Sequence, residues 1–179
     1  SSSAPPRANL SGWQTVKLGE VCEFQRGLTY AKGDEVASSS NIVLRANNID
    51  LATNLLDLTE LKYIRDAIEI PPAKLVKPGS LMICTASGSK THLGKVALIE
   101  EDYGYAFGGF MGLLTARAGV VPNYLFHLMT SPLYKSFIAE LSDGANINNL
   151  KFDDLAEFAI PLPPLPEQRR IVGILDEAL

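Results

Sequence analysis

The chain has 179 residues, of which 46% are hydrophobic and 20% charged, and this balance excludes a disordered chain because it supplies enough apolar side chains for a core. No apolar run approaches the ~20 residues that a membrane-spanning helix requires. The formal net charge of −4 argues against a protein that binds nucleic acid on its own, because such proteins usually carry an excess of basic residues. A nucleic-acid-binding role would therefore require partner subunits that supply positive charge.

The first ten residues and the two cysteines bear on targeting and compartment. Residues 1–10 are polar and lack the apolar core of a signal peptide, so we interpret them as a flexible tail. Cys22 and Cys84 each lie in an apolar stretch. A disulfide framework or a metal site would require more cysteine or histidine at close spacing. The pattern therefore predicts two buried free thiols and a reducing, cytoplasmic location.

Short apolar segments separated by polar turns predict strands in the first half of the chain. Residues 13–24 are typical of a strand or short helix entering the fold, and a loop with Gly27 at its centre follows them. Residues 41–45 have strand character. The asparagine-containing residues 46–50 predict the turn after that strand.

The strand pattern is clearer between residues 81 and 115. We predict strands at residues 81–85 and 95–99, joined by a polar loop at residues 86–94, and a further strand within residues 105–115. In this order each strand would pair with its neighbour along the chain. The segment therefore predicts a β-meander.

Helical spacing replaces this pattern after residue 121. One short helix is predicted to begin at Pro122, and a second is capped by Ser131. Residues 158–160 predict a last strand, and the proline-rich residues 161–166 predict an extended linker. A final helix is expected from Glu167, since an acidic residue favours the first turn of a helix.

Motifs that carry catalysis are absent from the sequence. It contains no GxxxxGK[ST] phosphate loop, no GxSxG elbow and no HExxH zinc motif. Glu60 and Lys62 have the acid-x-lysine spacing of some nucleases, but such sites need a second carboxylate from a separate strand. The sequence therefore predicts a non-catalytic chain, and a nuclease or methyltransferase fragment remains as a disfavoured alternative.

Residues 160–175 carry a long and specific resemblance. Their strand is followed by Pro-Leu-Pro-Pro at 161–164 and Glu-Gln at 167–168. This run resembles the end of a target-recognition domain in the specificity subunit of type I restriction-modification systems. Earlier segments resemble the same family in order and spacing, namely residues 13–21, 25–30, 77–83, 87–96, 123–126 and 148–150. Within residues 77–83, Ser80 stands where the family usually has Asp.

This resemblance implies both a fold and a set of partners. The fold it implies is a mixed α/β (α+β) domain, with a twisted, mostly antiparallel sheet and a few helices. The full subunit would carry two such domains or pair as two half-length subunits, each domain reading half of a bipartite target in double-stranded DNA. Modification subunits would supply S-adenosylmethionine chemistry and restriction subunits would supply ATP- and Mg-dependent cleavage, so the chain itself would hold no cofactor and no metal. Such partners would also share the phosphate contacts, which answers the objection from charge.

Polar loop residues are the candidates for reading DNA, because Arg, Asn and Gln carry the paired donors and acceptors that base edges require. We expect base contacts from Gln25, Arg26, Arg45 and Asn47, phosphate contacts from Lys32, Ser89, Lys90 and Thr91, and further DNA contacts from Thr29, Tyr30, Asn48 and Ser87. Two alternatives remain open at this point. Arg45 could pair with Asp50, and Asn47 and Asn48 could simply cap a turn.

The resemblance divides the chain into a recognition domain at residues 11–160 and, at residues 161–179, a proline-rich linker with the start of a spacer helix. Apolar residues repeat at helical spacing in that helix, and we expect them to pack in a pair of spacer helices: Ile171, Ile174, Leu175 and Ala178. One alternative is that the helix folds back on its own domain. Another is that the chain is a protein–protein interaction domain that acts through this helix without contacting DNA.

Overall fold

The computed structural model describes residues 12–89, 91–142 and 149–178. Its strands are β1 (Gln14–Lys17), β2 (Cys22–Arg26), β3 (Glu35–Val36), β4 (Asn41–Leu44), β5 (Lys62–Ile64), β6 (Leu81–Cys84), β7 (Val96–Leu98), β8 (Ala106–Phe107), β9 (Met111–Ala116) and β10 (Ala159–Leu162). Its α-helices are α1 (Leu18–Val21), α2 (Pro122–Leu128), α3 (Pro132–Ser142), α4 (Phe152–Leu155) and α5 (Leu165–Glu177). The predicted mixture of helices with mostly antiparallel strands is confirmed. The expected tail at residues 1–10 and Lys90 lie outside the described residues.

The strands form two four-stranded sheets and one two-stranded pair. The first sheet has the order β2-β9-β6-β7, and all of its pairs are antiparallel. The second has the order β3-β5-β4-β8, and its β4–β8 pair is parallel. The two-stranded pair joins β1 to β10, so that it ties the start of the described chain to the strand before α5.

The predicted meander is only partly right. β6 and β7 form the expected hairpin, but β9 pairs with β6 rather than β7. The segment predicted as one strand within residues 105–115 is two strands in two different sheets, β8 and β9. The chain changes sheets at Gly108 and Gly109, where the Gly108 carbonyl comes into close contact with Gly27. A Cβ added to the facing Gly27 would lie only 1.7 Å from the Gly108 carbonyl oxygen.

β6 lies at the centre of the core because both of its faces are covered. Leu81 and Ile83 pack in a cluster with residues of α2, α4 and β10, whereas Met82 and Cys84 pack in a second cluster with residues of the other sheet. A strand that is buried on both faces has a continuous run of apolar residues, which is why a strand could be predicted at this segment. Cys22 and Cys84 are buried free thiols, as predicted. Before β6, Ser80 donates a hydrogen bond to the Lys77 carbonyl and so caps the turn.

The end of the chain is more ordered than a simple linker. β10 runs to Leu162, so part of the proline-rich segment is a strand, and α5 begins at Leu165 rather than at Glu167. α5 packs against α2, and Asp176 lies 2.7 Å from His127 across that contact. α4 was not predicted, because a single turn with two acidic residues has no apolar period. None of the helices in the described ranges is both long and apolar enough to cross a membrane.

Candidate nucleic-acid interface

Four loops that follow the carboxyl ends of strands meet at one place in the fold. β2 and β6 both pair antiparallel with β9, so they run in the same direction and their following loops leave the first sheet at the same edge. β4 and β8 are parallel, so their following loops also leave the second sheet together. Because the chain passes directly from β8 into β9, the two sets of loops meet where the two sheets join.

Backbone hydrogen bonds fasten these loops to one another. The Leu28 N–H donates to the Phe107 carbonyl at 2.7 Å, and the Gly108 N–H donates to the Leu44 carbonyl at 2.9 Å. The Gly27 N–H donates to the Met111 carbonyl at 3.1 Å. The loops therefore form one rigid frame, although their residues are far apart in the sequence.

A cleft of about 580 Å³ opens among the four loops. Six of the twelve predicted DNA-contacting residues line it: Thr29, Tyr30, Lys32, Arg45, Asn47 and Ser87. Glu35 and Phe110 also line it, and neither was predicted. The fold thus brings half of the predicted side chains to one surface.

Basic residues outnumber acidic residues in the cleft lining, even though the whole chain is acidic. Lys32 is exposed at its wall, and Arg45 lies in the same lining. The carboxylate of Glu35 is 3.0 Å from the ammonium group of Lys62, so this acid is neutralised by its own partner. The local charge therefore suits a polyanion better than the net charge of the chain suggests.

Arg45 contributes a buried polar atom to the cleft that lacks an internal partner. Its Nε atom is buried and has no hydrogen-bond partner among the described residues. The suggested pairing with Asp50 is wrong, because that carboxylate instead accepts hydrogen bonds from the backbone N–H groups of Ala52 and Thr53. A buried donor without a partner costs free energy, so its retention calls for an explanation such as a bound water or a functional role.

Tyr30 lies close to two charged residues of the cleft, Glu35 and Arg45. Burial raises the pKa of its phenol, the Glu35 carboxylate raises it further, and the Arg45 guanidinium lowers it. The phenol is therefore neutral near pH 7 and can donate a hydrogen bond as well as accept one.

Asn48 has a structural role, and its assignment as a DNA contact is corrected. Its side chain is 1% exposed. Its Oδ1 accepts a hydrogen bond from the Arg45 N–H at 2.8 Å, and its Nδ2 donates to the carbonyls of Asp57 and Glu60 at 3.0 and 2.8 Å. The alternative of a turn cap is right for Asn48, whereas Asn47 is exposed in the cleft.

Gln25 and Arg26 lie within β2 and are not among the residues that line the cleft. The Arg26 guanidinium stands over the Phe152 ring, 5.1 Å from its centroid. Gln25 lines a separate, smaller hollow beside Lys77, and its amide donates to the Arg26 carbonyl at 3.2 Å. The structure therefore does not bring these two predicted base contacts to the others.

Ser89 and Thr91 are exposed at the loop that follows β6, next to the cleft residue Ser87. Their hydroxyl oxygens are 2.6 Å apart, and the Ser89 N–H donates to the Ser87 hydroxyl at 3.0 Å. Lys90, the basic residue predicted between them, lies outside the described residues. These residues continue the polar edge of the cleft without lining it.

A second polar arrangement holds the start of α5. Gln168 is fully buried, and its amide makes three hydrogen bonds: it accepts from the Val121 N–H at 2.8 Å and donates to the carbonyls of Gly119 and Pro163 at 2.9 Å each. We call this arrangement the Gln168 anchor. It explains why a Gln follows the proline-rich strand, a role that the sequence alone did not reveal.

α5 itself is covered on one side only. Ile171 is half-buried, whereas Ile174 and Leu175 are 53% and 38% exposed and Ala178 is exposed. The alternative of a helix folded back on its domain therefore describes one side of α5. The expected contact with a second spacer helix stays a prediction for the exposed side.

Comparisons with known proteins agree on one family. A family model described as the type I restriction modification DNA specificity domain matches residues 10–178. The chain is 33% identical over 171 residues to the specificity subunit of the type I restriction enzyme StySPI from Salmonella potsdam, covering 94% of this chain and 36% of that protein. The specificity subunit of EcoKI from Escherichia coli K12 matches with the same identity and coverage.

Solved structures share the fold. A chain from a study of complex assembly and conformational transition of the type I R-M system superposes with a TM-score of 0.70 at 24% identity, covering 99% of this chain and 39% of that one. The crystal structure of the HsdS subunit from Thermoanaerobacter tengcongensis gives a TM-score of 0.65 at 23% identity, covering 98% and 38%. The chain thus spans less than two fifths of the length of these relatives. It belongs to the family of type I restriction-modification DNA specificity domains.

Proposed function

We propose that this chain is a non-catalytic domain that reads one half of a bipartite DNA target for a type I restriction-modification assembly. The observation that carries the proposal is the cleft in which the buried Nε atom of Arg45 lacks an internal partner. A guanidinium can bond a guanine through two parallel hydrogen bonds, and the exposed amide of Asn47 beside it can bond an adenine in the same way. Sequence-specific recognition of this kind needs directional donors held on a rigid frame, which the fastened loops supply.

The surrounding residues suit contact with phosphate. Lys32 supplies charge at the wall of the cleft, and the hydroxyls of Thr29 and Ser87 can bond phosphate oxygens. The exposed hydroxyls of Ser89 and Thr91, with Lys90 between them in the sequence, would extend these contacts. Such contacts set the orientation of the domain on the duplex, whereas Arg45 and Asn47 would set its sequence preference.

The acidic net charge fits a domain that acts inside an assembly. We propose that modification subunits, which hold S-adenosylmethionine, and restriction subunits, which use ATP and Mg, close around the same DNA in the cytoplasm. The exposed Ile174 and Leu175 of α5 would pack against a second spacer helix from another recognition domain or half-subunit. This chain would then hold neither cofactor nor metal.

Methylation mapping tests the proposal. We would express the gene with its modification subunit and sequence the host genome with a method that detects methylated adenine. We expect a split adenine-methylated motif that disappears when this gene is deleted and that becomes degenerate at one position in Arg45→Ala. Arg169→Ala is the matched control, since Arg169 is exposed on α5 and does not line the cleft.

Two results would overturn the proposal. An unchanged methylation pattern after deletion of the gene, with the modification subunit expressed, would favour the alternative of an interaction domain acting through α5. Metal-dependent cleavage of DNA by the chain alone would show that it is catalytic.

A further inference from the structure

Phe110 is the most conspicuous exposed apolar side chain in the described residues. It is 73% exposed, whereas the next large apolar residues, Leu133 and Ile174, are 53% exposed. Placing a large aromatic ring in water costs free energy, so an ordered ring that remains exposed often marks a contact surface. Phe110 lines the cleft described above.

The backbone of Phe110 is held unusually firmly for a turn residue. Its carbonyl oxygen accepts hydrogen bonds from the N–H of Thr85 at 2.9 Å, from the N–H of Ala86 at 3.1 Å and from the Thr85 hydroxyl at 3.0 Å. The turn also lies where the chain passes from one sheet to the other. The exposed ring therefore stands on a fixed support, which reduces the entropy lost when it meets a ligand.

We propose that Phe110 is a specificity-determining residue that packs against the methyl group of a thymine in the target. This inference rests on the proposed function, since it assigns one base position of the same DNA site. The cleft residues Arg45 and Asn47 can bond only polar base edges. The thymine methyl is the apolar group that the major groove displays, and Phe is among the side chains that contact it.

Two other occupants of this surface are less favoured. An apolar side chain that is inserted between base pairs as a wedge usually acts from the minor groove and projects beyond its surroundings. Phe110 instead lines a concave surface beside hydrogen-bonding residues. A protein partner would be expected to cover a broader apolar patch. The exposed side chains that line the cleft beside Phe110 are instead polar, namely Thr29, Lys32 and Asn47.

The test begins from the methylated motif found for the wild-type protein. The assembled methyltransferase is titrated with duplexes that carry this motif, in which each thymine of the half-site is replaced in turn by uracil, which lacks only the methyl group. One replacement should weaken binding by the wild type about fourfold, the effect expected for one buried methyl group. In Phe110→Ala the same replacement should have no effect.

Phe110→Ala itself should weaken binding to the motif between about fivefold and about a hundredfold, as for one lost base-pair contact. Phe110→Leu should restore part of the sensitivity to uracil, because it keeps an apolar surface. Leu133→Ala is the matched control, since Leu133 is exposed on α3 outside the cleft lining. Because the ring is exposed, the melting temperature of each variant should equal that of the wild type.

The outcomes separate this inference from the proposed function. If no motif depends on this gene, the proposed function fails. If a motif depends on the gene but Phe110→Ala binds it as the wild type does, only the role of Phe110 fails. If Phe110→Ala weakens binding while no uracil replacement affects the wild type, or if the half-site contains no A·T pair, the thymine contact is wrong. If Phe110→Ala loses its modification subunit, the ring contacts protein and not DNA.

Discussion

The cleft and the Gln168 anchor are both built around polar side chains, yet they differ in how their hydrogen bonds are completed. In the anchor, the fully buried Gln168 amide bonds one N–H group and two carbonyls of its own chain. In the cleft, the buried Nε of Arg45 has no partner among the described residues. The hydrogen bonds of the anchor are complete within the chain, whereas the cleft holds a donor whose bond is not completed among the described residues.

This difference separates residues that hold the fold from residues that are available to read a target. Removing the Gln168 amide from the anchor leaves its backbone partners without their hydrogen bonds, which costs stability. Removing a group from the cleft takes away a contact that the free protein does not make, so it costs binding. Stability and DNA binding should therefore respond to different substitutions.

The largest expected loss of stability follows Gln168→Leu. The substitution leaves the buried Pro163 carbonyl without a partner, which costs about 1–3 kcal/mol, and it removes the hydrogen bonds to the part-buried Val121 N–H and Gly119 carbonyl, worth about 0.5–1.5 kcal/mol each. We therefore expect the free energy of unfolding, measured by urea denaturation, to fall by at least about 2 kcal/mol. Arg169→Ala, at the exposed neighbouring position, should change it by less than about 0.5 kcal/mol. Similar values for the two variants would mean that the anchor contributes little.

The adjacent residues Asn47 and Asn48 give the sharpest contrast within the cleft. Asn48→Ala removes the amide that bonds the Arg45, Asp57 and Glu60 backbone, so the free energy of unfolding should fall by about 1–3 kcal/mol. Asn47→Ala should leave stability unchanged and weaken binding to the methylated motif. Urea denaturation and duplex titration of both variants measure the two effects. If Asn47→Ala were the less stable of the two variants, the assignment of Asn48 to structural support and of Asn47 to DNA contact would be wrong.

Arg45→Ala should act on binding without a loss of stability. Its Nε is buried and unpaired, so truncation removes an unsatisfied donor from the free protein. Binding to the motif should weaken by about 1–3 kcal/mol with relaxed preference at one base pair, whereas Lys32→Ala should weaken binding to all sequences and reduce the salt dependence. Equal loss of binding to specific and random duplexes in Arg45→Ala would reassign this residue to phosphate contact.

The sequence predicts the cleft better than it predicts the residues around it. Arg45 ends and Asn47 follows an apolar segment whose composition and turn both indicate a strand, so their place at the end of that strand was predictable. Arg26 also looked like a loop residue, but it belongs to β2 and stacks on Phe152, which is distant in the sequence. Local pattern carries no information about that contact.

The same limit explains why Phe110 and the Gln168 anchor were missed. Residues 105–115 are apolar throughout, so nothing in their period shows that the chain changes sheets at Gly108 and leaves Phe110 exposed. Gln168 lies between charged residues and looks like one more polar position at the start of a helix. Its burial depends on the loop at Gly119, and only the tertiary fold brings the two together.

The smallest expected effect uses the two thiols as reporters of the two regions. Cys84 ends β6 just before a cleft loop, and its thiol donates to the Ala86 carbonyl at 3.5 Å. Cys22 pairs with Ala116 in β9, close to the Gly119 loop that the Gln168 anchor holds. Burial raises the pKa of Cys84 to about 11 and that of Cys22 to about 12. The thiols of Cys84 and Cys22 are therefore both neutral in the folded protein at pH 9.

Both thiols are buried, so iodoacetamide at pH 9 should modify each one only as its region opens, and Cys84, beside the cleft loop, should react faster than Cys22. Mass spectrometry of tryptic peptides gives both rates in one sample.

The raised pKa values also mean that the unfolded chain releases thiol protons near pH 9 which the folded chain keeps. The stability that these groups contribute is therefore present below that pH and is lost as the pH rises. Replacing both cysteines with alanine should flatten the decline between pH 8.5 and 10. Faster labelling of Cys22 would mean that the region around the Gln168 anchor opens before the cleft does, contrary to the comparison drawn above.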